Sequence, residues 1–263
     1  MLKTEFEKLT VSSIKELLVD EVALDYLLWA QEDRRSSVRQ LAQSYINKQK
    51  KLVKERQRID GMYAFEEVFY NQGMYHVAGV DEVGRGPIAG PVTVAAVILP
   101  PHTCILGLND SKKLSEQKRE ALYEEIQEKA IAISCVSYGP EIIDSLNIYE
   151  ATRKAMYEAV STLSVAPEAV LVDAMKLPNL TIPVESIIKG DSKSATIAAA
   201  SIIAKVTRDR YMKSLEVEYP GYGFSIHKGY YTELHREALE NQGVTPIHRR
   251  SFEPIKTLTG FAK

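Results

Sequence analysis

The 263-residue sequence predicts an α/β protein behind a helical N-terminal extension. Two observations carry that expectation. Residues 1–72 place apolar side chains at helical spacing with no Pro and no Gly before Gly61. Beyond Gly73, short β-branched runs bounded by Gly and Pro alternate with charged or alanine-rich stretches of helical length, the pattern of a sheet covered by helices.

In order, Ile14, Leu17, Leu18, Leu24, Leu27 and Leu28 recur near the 3.6 period and mark a helical layer that ends at Asn71-Gln72-Gly73. The expected domains are therefore 1–72, a helical extension, and 73–263, the sheet domain with a helical C-terminal part. Val77–Val80 and Val92–Leu99 read as strands, the second stopped by Pro100-Pro101. A charged helix runs from about Ser115 to Lys129, and Ile131–Val136 forms a third strand. Ala169–Val172 and Val184–Ile188 look like short buried strands, followed closely by Asp173 and Asp191. From Ser194, a helix rich in Ala packs close to the sheet and continues toward Tyr219, where Pro220-Gly221 ends it. A last helix begins near Thr232 and stops before Gly243.

No apolar run approaches the ~20 residues of a membrane helix, and the first residues lack a signal peptide's apolar block, so a cytoplasmic protein is expected. Cys104 and Cys135 have neither zinc spacing nor a disulfide framework and are expected as buried thiols. The net charge of −2 conceals an uneven distribution. Arg34, Arg35, Arg39, Lys48, Lys50, Lys51, Lys54, Arg56 and Arg58 face a single acid, Glu55, while Asp20, Glu21 and other acids precede them. A second basic bias includes Lys189, Lys193, Lys205, Lys228, Arg249 and Arg250. Solvated helix faces and nucleic-acid contact both account for either run.

The chemistry concentrates in Asp81-Glu82-Val83-Gly84-Arg85-Gly86, directly after an apolar strand. Asp81 and Glu82 alternate across the strand, yet at its end both reach one ligand from different sides. Gly84 and Gly86 bare the backbone around Arg85, so that amides and guanidinium together suit a phosphate. Asp173 and Asp191 end two further strands, and acids at carboxyl strand ends converge in open α/β sheets. Two carboxylates ~4 Å apart repel by about 4 kcal/mol at a dielectric near 20, so a cluster of four calls for a cation. Oxygen-only ligation suits Mg²⁺ or Mn²⁺, and a pair of ions suits in-line phosphodiester cleavage. Asp173 and Asp191 are also candidate helix caps. His227 is read as structural because no second histidine stands at ligand spacing, and Asp209 as an ion-pairing residue.

The segments GVDEVGRGPIAGPV (79–92), LVDA (171–174), KGDSKSATIAAASIIAKVTRD (189–209), YGFSIHKGYYT (222–232) and HRRSF (248–252) resemble those of bacterial ribonuclease HII, over residues 76–253. The resemblance implies an RNase H-like mixed sheet flanked by helices and a metal-dependent endonuclease, in keeping with the two-ion Mn²⁺ or Mg²⁺ site expected of the acids. It implies cleavage of the RNA strand of RNA/DNA hybrids and incision 5′ of single ribonucleotides in duplex DNA, leaving 3′-hydroxyl and 5′-phosphate, as in ribonucleotide excision repair. It places catalysis and metal binding on Asp81, Glu82, Asp173 and Asp191. It places ribose recognition on Gly84, Arg85 and Gly86, and junction stacking on Tyr230, with Tyr231 adjoining. Ala174 stands where the family has Gly, a small backbone adjustment. Lys193, Ser194 and Lys228 are candidate substrate contacts, joined by Arg249 and Arg250 on the phosphate backbone. The expected partners are the hybrid and the ribonucleotide-containing duplex, with no membrane and a monomeric chain. Two alternatives remain: a ribonuclease HIII-like hybrid cleaver, which has GKG where this chain has Gly84-Arg85-Gly86, and a non-catalytic hybrid-binding protein with a structural cation.

Overall fold

The computed structural model describes residues 1–19 and 22–262; Asp20, Glu21 and Lys263 lie outside the described residues. The chain divides into two compact units, Met1–Arg58 and Ile59–Lys263.

The first unit contains α1 (Lys3–Phe6), α2 (Val11–Leu17), α3 (Leu24–Glu32) and most of α4 (Ser36–Gly61). Phe6, Ile14, Leu18, Ala30, Val38 and Ala42 are buried together, with Phe6 packing on Tyr26 and Trp29. Asp33 binds Arg35 at 2.6 Å, and that hydrogen bond draws the carboxyl down to about 2.

The second unit begins with α5 (Ala64–Tyr70), then β1 (Val77–Val83), β2 (Val92–Ile98), α6 (Glu116–Lys129), β3 (Ala132–Tyr138), α7 (Pro140–Leu146), α8 (Ile148–Ser161), β4 (Ala169–Asp173) and β5 (Val184–Ile187). It closes with α9 (Ala195–Glu218), α10 (Phe224–His227), α11 (Glu233–Gln242) and α12 (Ile255–Thr259). The mixed sheet has the order β3-β2-β1-β4-β5, antiparallel across β1–β2 and β2–β3 and parallel across β1–β4 and β4–β5. Alternation sends Ala78 and Val80 to the side that holds Ala151, Ala155 and Ala159 of α8. Val77 faces the opposite side, which holds α9. There the helix backbone reaches the strand: a Cβ on Gly79 would lie 2.1 Å from the Thr196 carbonyl carbon.

Several expectations change here. Residues 59–72, grouped by sequence with the extension, bury Ile59, Met62, Tyr63, Phe69 and Tyr70 in the sheet unit's core. The strand β1 continues through Asp81 and Glu82, which pair with Ala95 and Val94, instead of ending before them. The cysteines are not both buried: Cys104 is half-buried and Cys135 is exposed on β3. No described helix is long and apolar enough to cross a membrane.

Candidate active site

The register of the sheet creates the site. Val80 pairs with Val172, so one step onward the parallel strands bring Asp81 beside Asp173, both on the α9 side by alternation. Asp191 arrives from the tight turn Gly190–Ser192 that leads into α9, held because Gly190 N donates to Asp173 Oδ1 at 2.8 Å. Each of Asp81, Asp173 and Asp191 offers an oxygen within 4.8 Å of the others. Glu82 lies outside that cluster. Its Oε1 accepts from Arg85 at 3.4 Å, and its buried Oε2 has no hydrogen-bond partner among the described residues.

Burial raises the Asp81 carboxyl well above its ordinary range, with Glu82 and Asp173 adding repulsion and Ser201 opposing it. Burial raises Glu82 as well; Arg85 opposes this and Asp173 adds to it. Asp191 rises by burial, then by Asp110 and Asp173. Desolvated acids that repel one another and share only oxygen donors fit a hard divalent ion, and the orphaned Glu82 oxygen fits it too. Lys112 and Asp110 belong to this neighbourhood, although sequence reasoning passed over them. Burial disfavours the Lys112 ammonium, but Asp81, Asp191, Asp110 and Asp173 outweigh it and raise its pKa. The only signal was the polar run Asn109-Asp110-Ser111-Lys112, whose position depends on the fold.

Beside the acids lies the loop 84–91. Gly84 has φ +87°, and a Cβ there would fall 2.2 Å from Arg208 Nε. Arg85 and Gly86 are exposed, and a Cβ on Gly86 would meet Tyr230 Cε1 at 3.6 Å. Tyr230 is therefore the ring beside the loop, 47% exposed; Tyr231 is similarly exposed. The loop is tied to the Tyr230 turn by Ile88 N to Gly229 O at 3.0 Å, and to the C-terminal segment by Gly90 N to Ile247 O at 2.8 Å.

The remaining candidates divide. Lys193 is exposed near the start of α9. Ser194 is not available to a ligand: it is fully buried, caps α9 through Ile197 N, and donates to Glu66 Oε1 at 2.6 Å. Lys228 is half-buried with its ammonium on the Ser225 carbonyl. Arg249, expected on a phosphate, is fully buried against backbone carbonyls, while Arg250 is exposed. Asp209 pairs with Lys205 at 2.8 Å, the ionic role expected of it. His227 is structural: Gly229 N donates to Nδ1, so its Nε2 donates to Tyr222 O at 2.8 Å. Ala174 takes φ +50°, the left-handed backbone that a glycine adopts freely.

Comparison with known proteins supplies the context. The family model described as Ribonuclease HII matches residues 78–255, and the one described as Ribonuclease HII N-terminal domain matches 10–70. The chain is 54% identical over 227 residues to ribonuclease HII of Bacillus cytotoxicus, covering 86% of this chain and 87% of that one. It is 48% identical over 252 residues to the Ligilactobacillus salivarius ribonuclease HII, covering 96% and 98%. Among solved structures, the ribonuclease H2 from Pyrococcus horikoshii aligns with a TM-score of 0.62 at 27% identity, over 70% of this chain and 97% of that one.

Proposed function

The chain belongs to the ribonuclease HII family, and from that premise we propose that it cleaves the RNA strand of RNA/DNA hybrids and incises duplex DNA 5′ of a single embedded ribonucleotide, leaving 3′-hydroxyl and 5′-phosphate ends. The observation that carries this reading is the convergence of Asp81, Asp173 and Asp191 beside a bare-backbone loop faced by Tyr230.

The three aspartates, with Glu82 turning from Arg85, are the groups that would hold Mg²⁺ or Mn²⁺. Such an ion supplies Lewis acidity for phosphodiester hydrolysis and neutralises charge on the phosphate. The chain's own contribution is selection and placement. The exposed amides of Arg85 and Gly86 suit the 2′-hydroxyl and the adjoining phosphate, and the 2′-hydroxyl is what separates RNA from DNA. Reading sugar and phosphate rather than base edges leaves the enzyme indifferent to sequence. Tyr230 stacks on the sugar that follows the ribose. Lys193 and Arg250 meet the backbone further along, and the exposed Lys48, Lys50, Lys51, Lys54 and Arg56 of α4 offer further cations to a duplex.

The test is a nicking assay in Mg²⁺ and in Mn²⁺ with three duplexes: one embedded ribonucleotide, an RNA/DNA hybrid, and all DNA. A nick 5′ of the ribonucleotide and cleavage of the hybrid are expected. Absence of nicking would leave only hybrid binding, cleavage of the hybrid alone would make the enzyme HIII-like, and equal cutting of all-DNA duplex would remove ribose selection.

A further inference from the structure

Two fully buried guanidiniums, Arg208 and Arg249, lie behind the loop 84–91 with no ion pair among the described residues. A buried charge demands compensation. Backbone carbonyls provide it here. Arg208 donates to Pro91 O (2.8 Å), Lys228 O (2.9 Å) and Ala89 O (3.2 Å). Arg249 donates to Gly90 O (3.0 Å), Arg85 O (2.9 Å) and Gly84 O. A planar fork with fixed donor directions suits several carbonyls at once, which a lysine does not.

The choice of carbonyls matters. In a trans peptide the C=O and the following N–H point in opposite directions, and the described cis bond is Glu253–Pro254, far along the chain from this loop. The Gly84 carbonyl shares its peptide with Arg85 N–H, and the Arg85 carbonyl shares its peptide with Gly86 N–H. By drawing both carbonyls inward, Arg249 turns both amides outward, where Arg85 and Gly86 are exposed and neither amide donates to another described group. Arg249 is itself held. Asp144 accepts from Arg250 N (2.9 Å), Ser251 N (2.9 Å) and Ser251 Oγ (2.5 Å), and Phe252 lies under the guanidinium at 5.0 Å.

We propose that Arg249 is a positioning residue for ribose recognition: through the Gly84 and Arg85 carbonyls it aims the amides of Arg85 and Gly86 at the 2′-hydroxyl and the neighbouring phosphate, with Asp144 fixing it in place. This rests on the ribonucleotide-incising reading above.

The test compares wild type with Arg249→Lys in the full chain. Three quantities are measured: steady-state cleavage of a duplex with one ribonucleotide, the inhibition constant of the matching all-DNA duplex, and the Mn²⁺ dissociation constant. In the folded variant, kcat/KM for the ribonucleotide duplex should fall about 100-fold, the scale of a misaimed site. The Mn²⁺ affinity should stay unchanged, and the all-DNA inhibition constant, which shares the phosphate contact but not the 2′-hydroxyl, should weaken by no more than about fivefold, a split that a general loss of structure would not produce. Should Arg249→Lys not fold, Asp144→Ala on half-buried α7 serves instead, with an expected loss of about fivefold in the same ratio. A folded variant that keeps the wild-type preference for the ribonucleotide duplex, or that loses Mn²⁺ affinity in proportion, overturns the assignment. A wild-type enzyme with no ribose preference overturns the functional reading, and the assignment with it.

Discussion

Neutralising Asp81 should make the metal-free protein more stable while removing its activity. Asp81, Asp173 and Asp191 bring oxygens within 4.8 Å, and at a dielectric of ~20 each ionised pair at that distance repels by about 3.5 kcal/mol. Protonation sets a ceiling on the penalty. Holding a carboxyl of ordinary pKa 3.8 neutral at pH 7 costs about 4 kcal/mol, so the repulsion charged to Asp81 cannot exceed that. Asp81→Asn removes it and keeps an oxygen for Glu82 N, which donates to Oδ1 at 2.7 Å. It weakens the favourable contact with Ser201, about 1 kcal/mol. The net gain is about 1–3 kcal/mol, or roughly 3–8 °C in Tm for a domain of this size. Differential scanning calorimetry in EDTA should show the variant melting higher. With Mn²⁺ at 100 times its Kd, wild type should gain about 2.7 kcal/mol and the variant almost nothing. Nicking should be lost. If the variant melts below wild type in EDTA, or shows the full Mn²⁺ shift, the acids do not form a strained cation site.

Three other outcomes are expected. Tyr230→Ala should weaken cleavage chiefly on duplexes with one ribonucleotide, and an equal loss on long hybrids would remove junction stacking as its role. Replacing Lys50, Lys51 and Lys54 together with Gln should lower the slope of log K against log salt for duplex binding by up to about 2.7; an unaltered slope would mean these exposed lysines face only solvent. Burial brings His235 and His248 down to about 4 from 6.5, so the unfolded chain binds more protons than the folded one between those values. Their contribution to stability is therefore complete above pH 6.5 and is lost as pH falls toward 4, by up to about 3 kcal/mol per group. Thermal melts across that range should steepen accordingly, and His235→Gln should flatten the slope; the same slope in both proteins would assign acid sensitivity elsewhere.

Much of the sheet unit was legible because its signals are local. The β-branched runs gave all five strands within a few residues, and Ser115, Ser194 and Thr232 cap α6, α9 and α11 as their side chains permit. The helix α8 was not read from the sequence: its buried face mixes Ala151, Ala155 and Ala159 with Thr152, Met156 and Val160, so large apolar residues are too few to mark it on their own. Asp81, Asp173 and Asp191 could be selected in advance because each follows an apolar strand or its continuation. Lys112 could not, because only the folded loop brings it to the acids. Arg249 was misread for a different reason: a guanidinium in sequence suggests the surface, and burial becomes tolerable only when loops present carbonyls to it. Ser194 was misread because Glu66, 128 residues away, claims its hydroxyl. The same contact ties α5 to the catalytic unit, so truncation at residue 70 would injure the site itself, whereas the boundary at Arg58 avoids that contact.

The helix α9 is unbroken from Ala195 to Glu218. Its capped start follows the turn that carries Asp191, its Ser201 reaches Asp81, and Arg208, seven residues beyond Ser201, grips the loop 84–91 about 10 Å further along the axis. One rigid helix therefore carries contacts both to the acid cluster and to the loop beside it. One residue inserted between Ser201 and Arg208 would swing Arg208 by about 100° away from Pro91 and Lys228, so the spacing of cluster and loop has no small increments. Any lengthening of that connection must come in whole helical turns of about 5.4 Å if Arg208 is to keep its carbonyls.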